Sequence, residues 1–557
     1  MLSDGYFPKI LDCDVVDWLV SNKFLFSDDI SRREAALTIL QSTAQRSPDA
    51  FTRDILGSCV SDIERRIESR SVFRRDDRAD CSTEASLGYP DAEGWGSLET
   101  SAKFLNLILS CKACMDSFVI CETEIIVFKL VNHTNRFVRE QGQLCLAELL
   151  RGGGSKLDNA NVSRYASLVR IGLQDNWSQV RYASLTATRS LFRLVLGRNL
   201  QHLVIETIVP LVILNRHFVA EGVRRFAQDT WVLFVGPQGG TKLVADALPH
   251  VIRALREGVD SENHSVREAA VSCLFEILSK VLCDGKSGPI VTTDISAVLS
   301  IVISALEDVS WPVREQGGTC CLELFRNILP RLSERDSEVL FAKIDYIIDL
   351  LFPDVFDSML PLRQSSSECV GYLVALHATR FSHHKVWSDT LCFIPEKLLL
   401  YSLETTENDN TSISGVRSGI FAGHENRPMY SCGTLSSGRS VRKIWNSMSD
   451  DCCSGGHCTV PVNSQYWEIV DGAFRLYGSL IGSRLLSFSQ ILDLNNACLP
   501  AMASVLTNEK KRKFTVILDT ASKVVDIGTL GLAAVSEDVA AAVSIISQKL
   551  RRETHVY

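Results

Sequence analysis

Apolar residues recur along the chain in long stripes with helical spacing, and each stripe begins at a similar dipeptide. The six dipeptides are Val138-Arg139, Val180-Arg181, Val223-Arg224, Val266-Arg267, Val313-Arg314 and Leu362-Arg363. Counted from the first residue of each pair, positions +7, +8, +11 and +12 are mostly apolar or small. Because residues three, four or seven apart share one side of a helix, this spacing predicts an amphipathic helix at each pair.

The distance between these pairs is nearly constant. Successive arginines of the six pairs are 42, 43, 43, 47 and 49 residues apart.

Upstream of each pair the pattern predicts a second apolar helix, for example over residues 294–306 with Asp294 as its N-cap. Position +7 is always Cys, Ala or Thr. A small residue at this position predicts close approach between neighbouring helices.

The turns before the predicted helices carry a further signal. Asp175 and Asp308 stand six residues before Arg181 and Arg314 and are predicted to cap the following helix. Pro312 falls in the first helical turn, where its missing N–H is tolerated. These units resemble HEAT repeats, whose second helix typically begins with an Asp-x-x-x-x-Val-Arg turn.

The resemblance covers about 130–380 of the chain well, and its flanks more loosely. It implies an all-α fold, a right-handed superhelical solenoid of about eight to ten HEAT-like helical pairs. Solenoids of this kind serve many roles, so the resemblance implies a fold and not a reaction.

The pattern divides the chain into five segments. Residues 1–68 are predicted to form capping helices and a first repeat, and 69–97 a flexible inserted loop, because that stretch is polar and rich in turn residues. The HEAT-like array is predicted over 98–403. Residues 404–464 are rich in Ser, Gly and Asn and are predicted to be a disordered insert. Residues 465–557 are predicted to form C-terminal helical repeats that cap the array.

Composition narrows the class of protein. The net charge of −8 is not that of a dedicated nucleic-acid or anionic-membrane binder. No apolar run is long enough to span a bilayer, and the N-terminus lacks the basic region of a signal peptide. The 18 cysteines fall largely on helical stripes, which predicts reduced thiols in a cytoplasmic or nuclear protein. The run Lys510–Lys513 is either a nuclear import signal or a solvated helix end.

One cluster has the residue types of a metal site. Cys452, Cys453, His457 and Cys458 provide four soft ligands of the kind that zinc prefers. Adjacent cysteines chelate one ion poorly, so a set of exposed thiols is the favoured interpretation. No arrangement of nucleophile, base or paired carboxylates stands out. We therefore predict no enzyme activity, no cofactor, no metal and no small-molecule substrate.

Two sets of residues are candidates for binding a protein partner. Arg139, Arg181, Arg267 and Arg314 are predicted to form ion pairs with turn aspartates; in the alternative, they line a concave surface that grips an acidic segment. Trp177 and Trp311 lie in the turns between paired helices. Each is either a binding hot spot or a side chain that packs its turn against the preceding repeat.

The predicted function is a non-catalytic scaffold or adaptor that binds protein partners through the concave face and the turns. Three alternatives remain open from the sequence. One is tubulin binding as in HEAT arrays of the TOG type, which contact tubulin through these turns. The others are a transport adaptor resembling the importins and a regulatory subunit of an enzyme complex.

Overall fold

The computed structural model describes residues 9–21, 24–27, 29–76, 95–111, 117–153, 157–236, 240–282, 294–380, 385–403 and 466–507. In these residues every regular element is helical, which confirms the predicted all-α class. The predicted insert at 404–464, the Cys452–Cys458 cluster and Lys510–Lys513 lie outside the described residues.

The chain divides into two compact units, residues 1–254 and 255–557. The helices of the first unit are α1 (Lys9–Ser21), α2 (Ile30–Arg46), α3 (Arg53–Asp76), α4 (Trp95–Ser110), α5 (Ser117–Val131), α6 (Arg136–Gly153), α7 (Val162–Leu173), α8 (Ser178–Arg198), α9 (His202–Ile205), α10 (Val209–Asn215), α11 (Glu221–Val235) and α12 (Gly240–Asp246). Helix α13 (Leu248–Val259) contains the division between the units.

The helices of the first unit pack in two layers. The pairs α1/α2, α3/α4, α5/α6, α7/α8 and α10/α11 each form one helix–turn–helix repeat. The second helices α2, α4, α6, α8 and α11 pack side by side in one layer, and α3, α5, α7 and α10 form the other. Each repeat therefore packs mainly on its neighbours along the chain, as in HEAT arrays.

The second unit contains the helices α14 (His264–Glu276), α15 (Ile295–Leu306), α16 (Trp311–Glu323), α17 (Glu334–Phe341), α18 (Ile344–Leu351), α19 (Leu360–Arg380), α20 (Lys385–Leu403), α21 (Tyr466–Gly482) and α22 (Phe488–Thr507). Its pairs are α15/α16, α18/α19 and α20/α21, and the second helices α14, α16, α19 and α21 again pack in sequence. Since α20 and α21 form one pair, residues 404–465 connect the two helices of a single repeat. The repeat array thus continues on both sides of this connection.

The predicted helical register is confirmed. The second helices that carry the six dipeptides begin at Arg136, Ser178, Glu221, His264, Trp311 and Leu360, in each case two residues before the Val or Leu of the pair. The side chains at position +7 are fully buried in all six: Cys145, Ala187, Thr230, Cys273, Cys320 and Cys369. Position +4 is also always small. At Gly142 an added Cβ would lie 2.7 Å from the backbone nitrogen of Val131, so this glycine lets α6 approach α5.

Two of the sequence predictions differ from the structure. Helix α3 extends to Asp76 and α4 begins at Trp95, so residues 69–76 and 95–97 of the predicted loop are helical; residues 77–94 lie outside the described part. Asp175 and Asp308 do not cap a helix. Each accepts a backbone N–H two residues on, from Trp177 and Ser310, because both aspartates stand before the first helical turn. Asp294 does act as the predicted N-cap.

The buried cysteines are expected to resist alkylation in the native protein. Burial raises the pKa of the Cys145, Cys320 and Cys369 thiols, and the reactive species is the thiolate. Cys121 and Cys392 are exposed. Iodoacetamide at pH 8, followed by peptide mass spectrometry, should label the exposed pair at least about tenfold faster than the buried thiols. Equal labelling in the native protein, and not only in urea, would contradict the predicted core register.

Candidate functional site

Five of the six dipeptide arginines bind side chains of the following repeat, and we call these five the arginine ladder: Arg139, Arg181, Arg267, Arg314 and Arg363. Arg139 donates to the Asp175 carboxylate through Nε at 2.7 Å and Nη2 at 3.2 Å. Arg267 binds Asp308 in the same two-pronged way, at 2.6 and 3.0 Å. Each arginine also donates to carbonyl oxygens in its own turn. The turn aspartate of one repeat therefore holds the arginine of the repeat before it.

The ladder continues in the second unit. Arg314 Nε donates to the Asp354 carboxylate at 3.0 Å. Arg363 Nε of α19 donates to the Asp471 carboxylate of α21 at 2.9 Å, although the two residues are 108 apart in the sequence. Asp471 thus ties α21 to α19, as the turn aspartates tie the other repeats.

Arg181 uses different partners because its neighbouring turn differs. The position of the turn aspartate is taken by Phe218, and the Arg181 guanidinium carbon lies 4.4 Å from the centre of that ring. Arg181 Nη1 donates to Asn215 Oδ1 at 2.9 Å and to the carbonyl of Leu173 at 2.7 Å. Burial lowers the pKa of Arg181 to about 10, which still leaves the side chain charged at neutral pH. Arg224, the next arginine in the series, is exposed.

These contacts place the predicted arginines inside the fold. Arg181, Arg267 and Arg314 are 1, 8 and 9% exposed, and Arg139 is partly buried in its pair with Asp175. The structure thus favours structural ion pairs over a concave surface lined by these arginines.

The two predicted tryptophans have different surroundings. Trp177 precedes α8 in the first unit and is 45% exposed. Trp311 is the first residue of α16 in the second unit and is partly buried. Exposure makes Trp177 the better candidate for a contact with a partner.

Trp177 belongs to a stack that runs over three successive turns of the first unit. The guanidinium carbon of Arg136 lies 3.7 Å from the centre of the Trp177 ring and 4.7 Å from that of Phe137. Phe137 stacks in turn on Trp95, with ring centres 4.6 Å apart and planes inclined by 15°. We call Trp95, Arg136, Phe137 and Trp177 the turn stack. Its rings hold the Arg136 side chain in a fixed orientation.

A second cluster lies on the open face of the second-helix layer, the side turned away from the first helices. Tyr182, 45% exposed, stacks on Phe226 of α11 with ring centres 4.6 Å apart. The guanidinium carbon of Arg189 lies 4.8 Å from the same Phe226 ring. Tyr182, Arg189 and the exposed Arg193 are separated by seven and four residues, so they share one face of α8. We call Tyr182, Arg189, Arg193 and Phe226 the open-face cluster.

Both clusters are locally basic. Helix α8 contains four arginines and no acidic residue. Among the described residues, no carboxylate lies within ion-pair distance of Arg136, Arg189 or Arg193. By contrast, Glu140 of α6 holds the helical position that Tyr182 holds in α8, and burial together with Glu99 raises its pKa. Glu99 of α4 is itself paired with Lys103, whereas the arginines on this face of α8 have no described carboxylate partner.

The sequence singled out Trp177 as a candidate, but it did not single out Arg136, Arg189 or Arg193. The signal for the last two was present, because they lie opposite the buried +7/+11 stripe in a helix without acidic residues. Arg136 carried no such signal, since the rings that hold it come from different repeats.

Within the described residues, no group of His, Cys, Asp and Glu side chains is arranged to hold a metal ion. No helix in that part of the chain combines the length and apolar character needed to cross a membrane.

No protein-family model matches the chain, and no curated protein matches it. Among solved structures, importin beta is 12% identical with a TM-score of 0.37, over 98% of this chain and 62% of that one. Kap121p bound to RanGTP is 13% identical with a TM-score of 0.34, over 98% and 52%. An engineered protein is 12% identical with a TM-score of 0.31, over 96% and 99%. This chain thus spans 52 to 62% of the length of the two transport proteins.

The HEAT-like assignment rests on the helix pairs and on the arginine ladder. The chain is an all-α solenoid of HEAT-like helical pairs.

Proposed function

We propose that the chain is a scaffold that binds a protein partner through the turn stack and the open-face cluster of its first unit. The observation that carries this proposal is the exposed Trp177 ring held against Arg136. Tryptophan and arginine are the residue types that most often dominate binding energy at protein interfaces. Because the stack already exists in the free protein, little side-chain freedom would be lost on binding.

The proposed role is non-catalytic. Both clusters offer aromatic faces and guanidinium groups, and a guanidinium keeps its proton at neutral pH. Such groups recognise shape and charge, but they neither attack a substrate nor transfer a proton.

The test compares proteins captured from a native lysate by the wild type, Trp177→Ala and Trp18→Ala. Trp18 is also exposed and lies in the same unit, outside both clusters, so it is a matched control. We expect Trp177→Ala to retain its partners at least about tenfold less well, with the Trp18 variant close to wild type. Circular dichroism checks that both variants are folded. Equal capture by Trp177→Ala and the wild type would refute the proposal.

Tubulin is a second candidate partner, favoured by one observation. The turn stack places a tryptophan and an arginine on consecutive turns between paired helices, which is the edge that TOG-type arrays present to tubulin. Size-exclusion chromatography with free tubulin tests this directly. A complex that forms with the wild type and not with Trp177→Ala would support it, and the absence of any shift would remove it.

A further inference from the structure

We propose that the partner supplies an extended acidic segment, which lies along α8 from Trp177 to Arg193. The inference rests on the proposed function and names the chemistry of the partner. It uses the open-face arginines in place of the ladder arginines, which are buried or held by carboxylates of the next repeat.

The first step is whether the arginines of the two clusters are already paired with carboxylates. Arg136, Arg189 and Arg193 have no described carboxylate within ion-pair distance, whereas Arg225 and Arg151 of the same unit are paired with Glu221 and Glu148. An aromatic ring that covers the face of a guanidinium leaves its N–H groups, which lie in the plane, free to donate. Arg136 and Arg189 are both held in this way, and a carboxylate is the acceptor that fits such a donor edge best.

The second step is the spacing of the cations. Arg189 and Arg193 are four residues apart on one helical face, a separation of about 6 Å. Alternate residues of an extended chain are spaced by about 6.6 Å. Two acidic residues separated by one other residue can therefore meet the two arginines together. From Ser178 to Arg193 the helix rises by about 22 Å, which an extended segment of about seven residues would cover.

The third step is the direction of the segment. Glu140 of α6 holds the helical position that Tyr182 holds in α8, and Glu99 of α4 is already paired with Lys103 at 2.7 Å. Neither position offers an acidic segment an unpaired cation, whereas α8 contains four arginines and no acidic residue and attracts such a segment. It therefore runs along α8 and does not cross the layer toward α4.

A protein segment fits these features better than a nucleic acid. Nucleic-acid binding draws its affinity from several phosphate contacts along a basic surface. Here three arginines stand on a chain with a net charge of −8. Two or three carboxylates match that number of cations.

The test uses a fluorescein-labelled octapeptide with glutamate at alternate positions and one central tyrosine. Its matched control has glutamine in place of each glutamate. Fluorescence anisotropy at low and moderate salt measures binding to the full chain. We expect the acidic peptide to bind at least about tenfold more tightly than the control and to weaken as salt rises.

Protein variants locate the site. Arg189→Gln/Arg193→Gln should lose about tenfold in affinity for the acidic peptide, and Arg151→Gln should bind it like the wild type, because Arg151 is already paired with Glu148. Equal binding of the two peptides to the wild type, or an unchanged affinity of the double variant, would overturn the inference. Tighter binding of a single-stranded oligonucleotide through the same arginines would also overturn it.

The two proposals can fail separately. Loss of captured partners in Trp177→Ala without selective binding of the acidic peptide would leave the scaffold function standing and reject the acidic segment. Selective peptide binding through Arg189 and Arg193, with unchanged capture by Trp177→Ala, would support the acidic ligand and reject the turn stack as the main anchor.

Discussion

Replacing Asp471 with alanine is expected to lower the free energy of unfolding of the second unit by about 3–5 kcal/mol. Asp471 and Arg363 are both buried, and the carboxylate also accepts a hydrogen bond from Arg475 Nε at 2.8 Å. Without Asp471 the buried Arg363 guanidinium loses the carboxylate that its Nε binds at 2.9 Å, and the Asp357 carbonyl that accepts from Nη1 does not replace that negative charge. The change therefore costs far more than the loss of one surface contact.

Urea denaturation followed by circular dichroism measures the effect. The matched control is Glu368→Ala, which breaks the Arg326–Glu368 pair in the same unit. Both side chains of that pair are more than two-fifths exposed, and its removal should cost about 1 kcal/mol or less. A similar midpoint shift in the two variants would mean that the buried pair does not hold α21 against α19.

Leu274→Ala is expected to lower the free energy of unfolding of the same unit by about 2–5 kcal/mol. Leu274 is fully buried at position +8 of α14. Truncation removes apolar contacts and leaves a cavity that the surrounding helices fill only in part.

Leu360→Ala is the control for this change, because Leu360 is an exposed leucine at the start of α19. Its truncation should cost well under the value for Leu274, since little apolar area is returned to water. If both variants melt like the wild type, the register that buries positions +7 and +8 is wrong.

Helical periodicity was visible in the sequence because it is local. The six dipeptides gave the starts of six helices to a constant offset of two residues, and the small residues at +7 gave the places of closest packing. Each of these features depends on residues within one helix or within the turn before it.

Partners distant along the chain were harder to predict. Asp175 looked like a helix cap, yet its carboxylate binds Arg139, which lies 36 residues away in the preceding repeat. Helices α20 and α21 pack together although 62 undescribed residues separate them in the sequence. Neither helix contains a local sequence signal for this pairing. Composition predicted a long insert at 404–464, but it did not predict that this insert separates the two helices of one repeat.

By itself the sequence determined the helical class, the repeat and most of the core positions, because a buried stripe requires apolar residues at a fixed helical spacing. Only the tertiary structure decided which arginines are available to a partner. Arg181 and Arg189 lie on the same helix, but one is enclosed by Asn215 and Phe218 of the next repeat and the other lies on the open face. The number of carboxylates, carbonyls and rings that neighbouring repeats bring to each guanidinium sets this difference, and those groups meet only when the repeats stack.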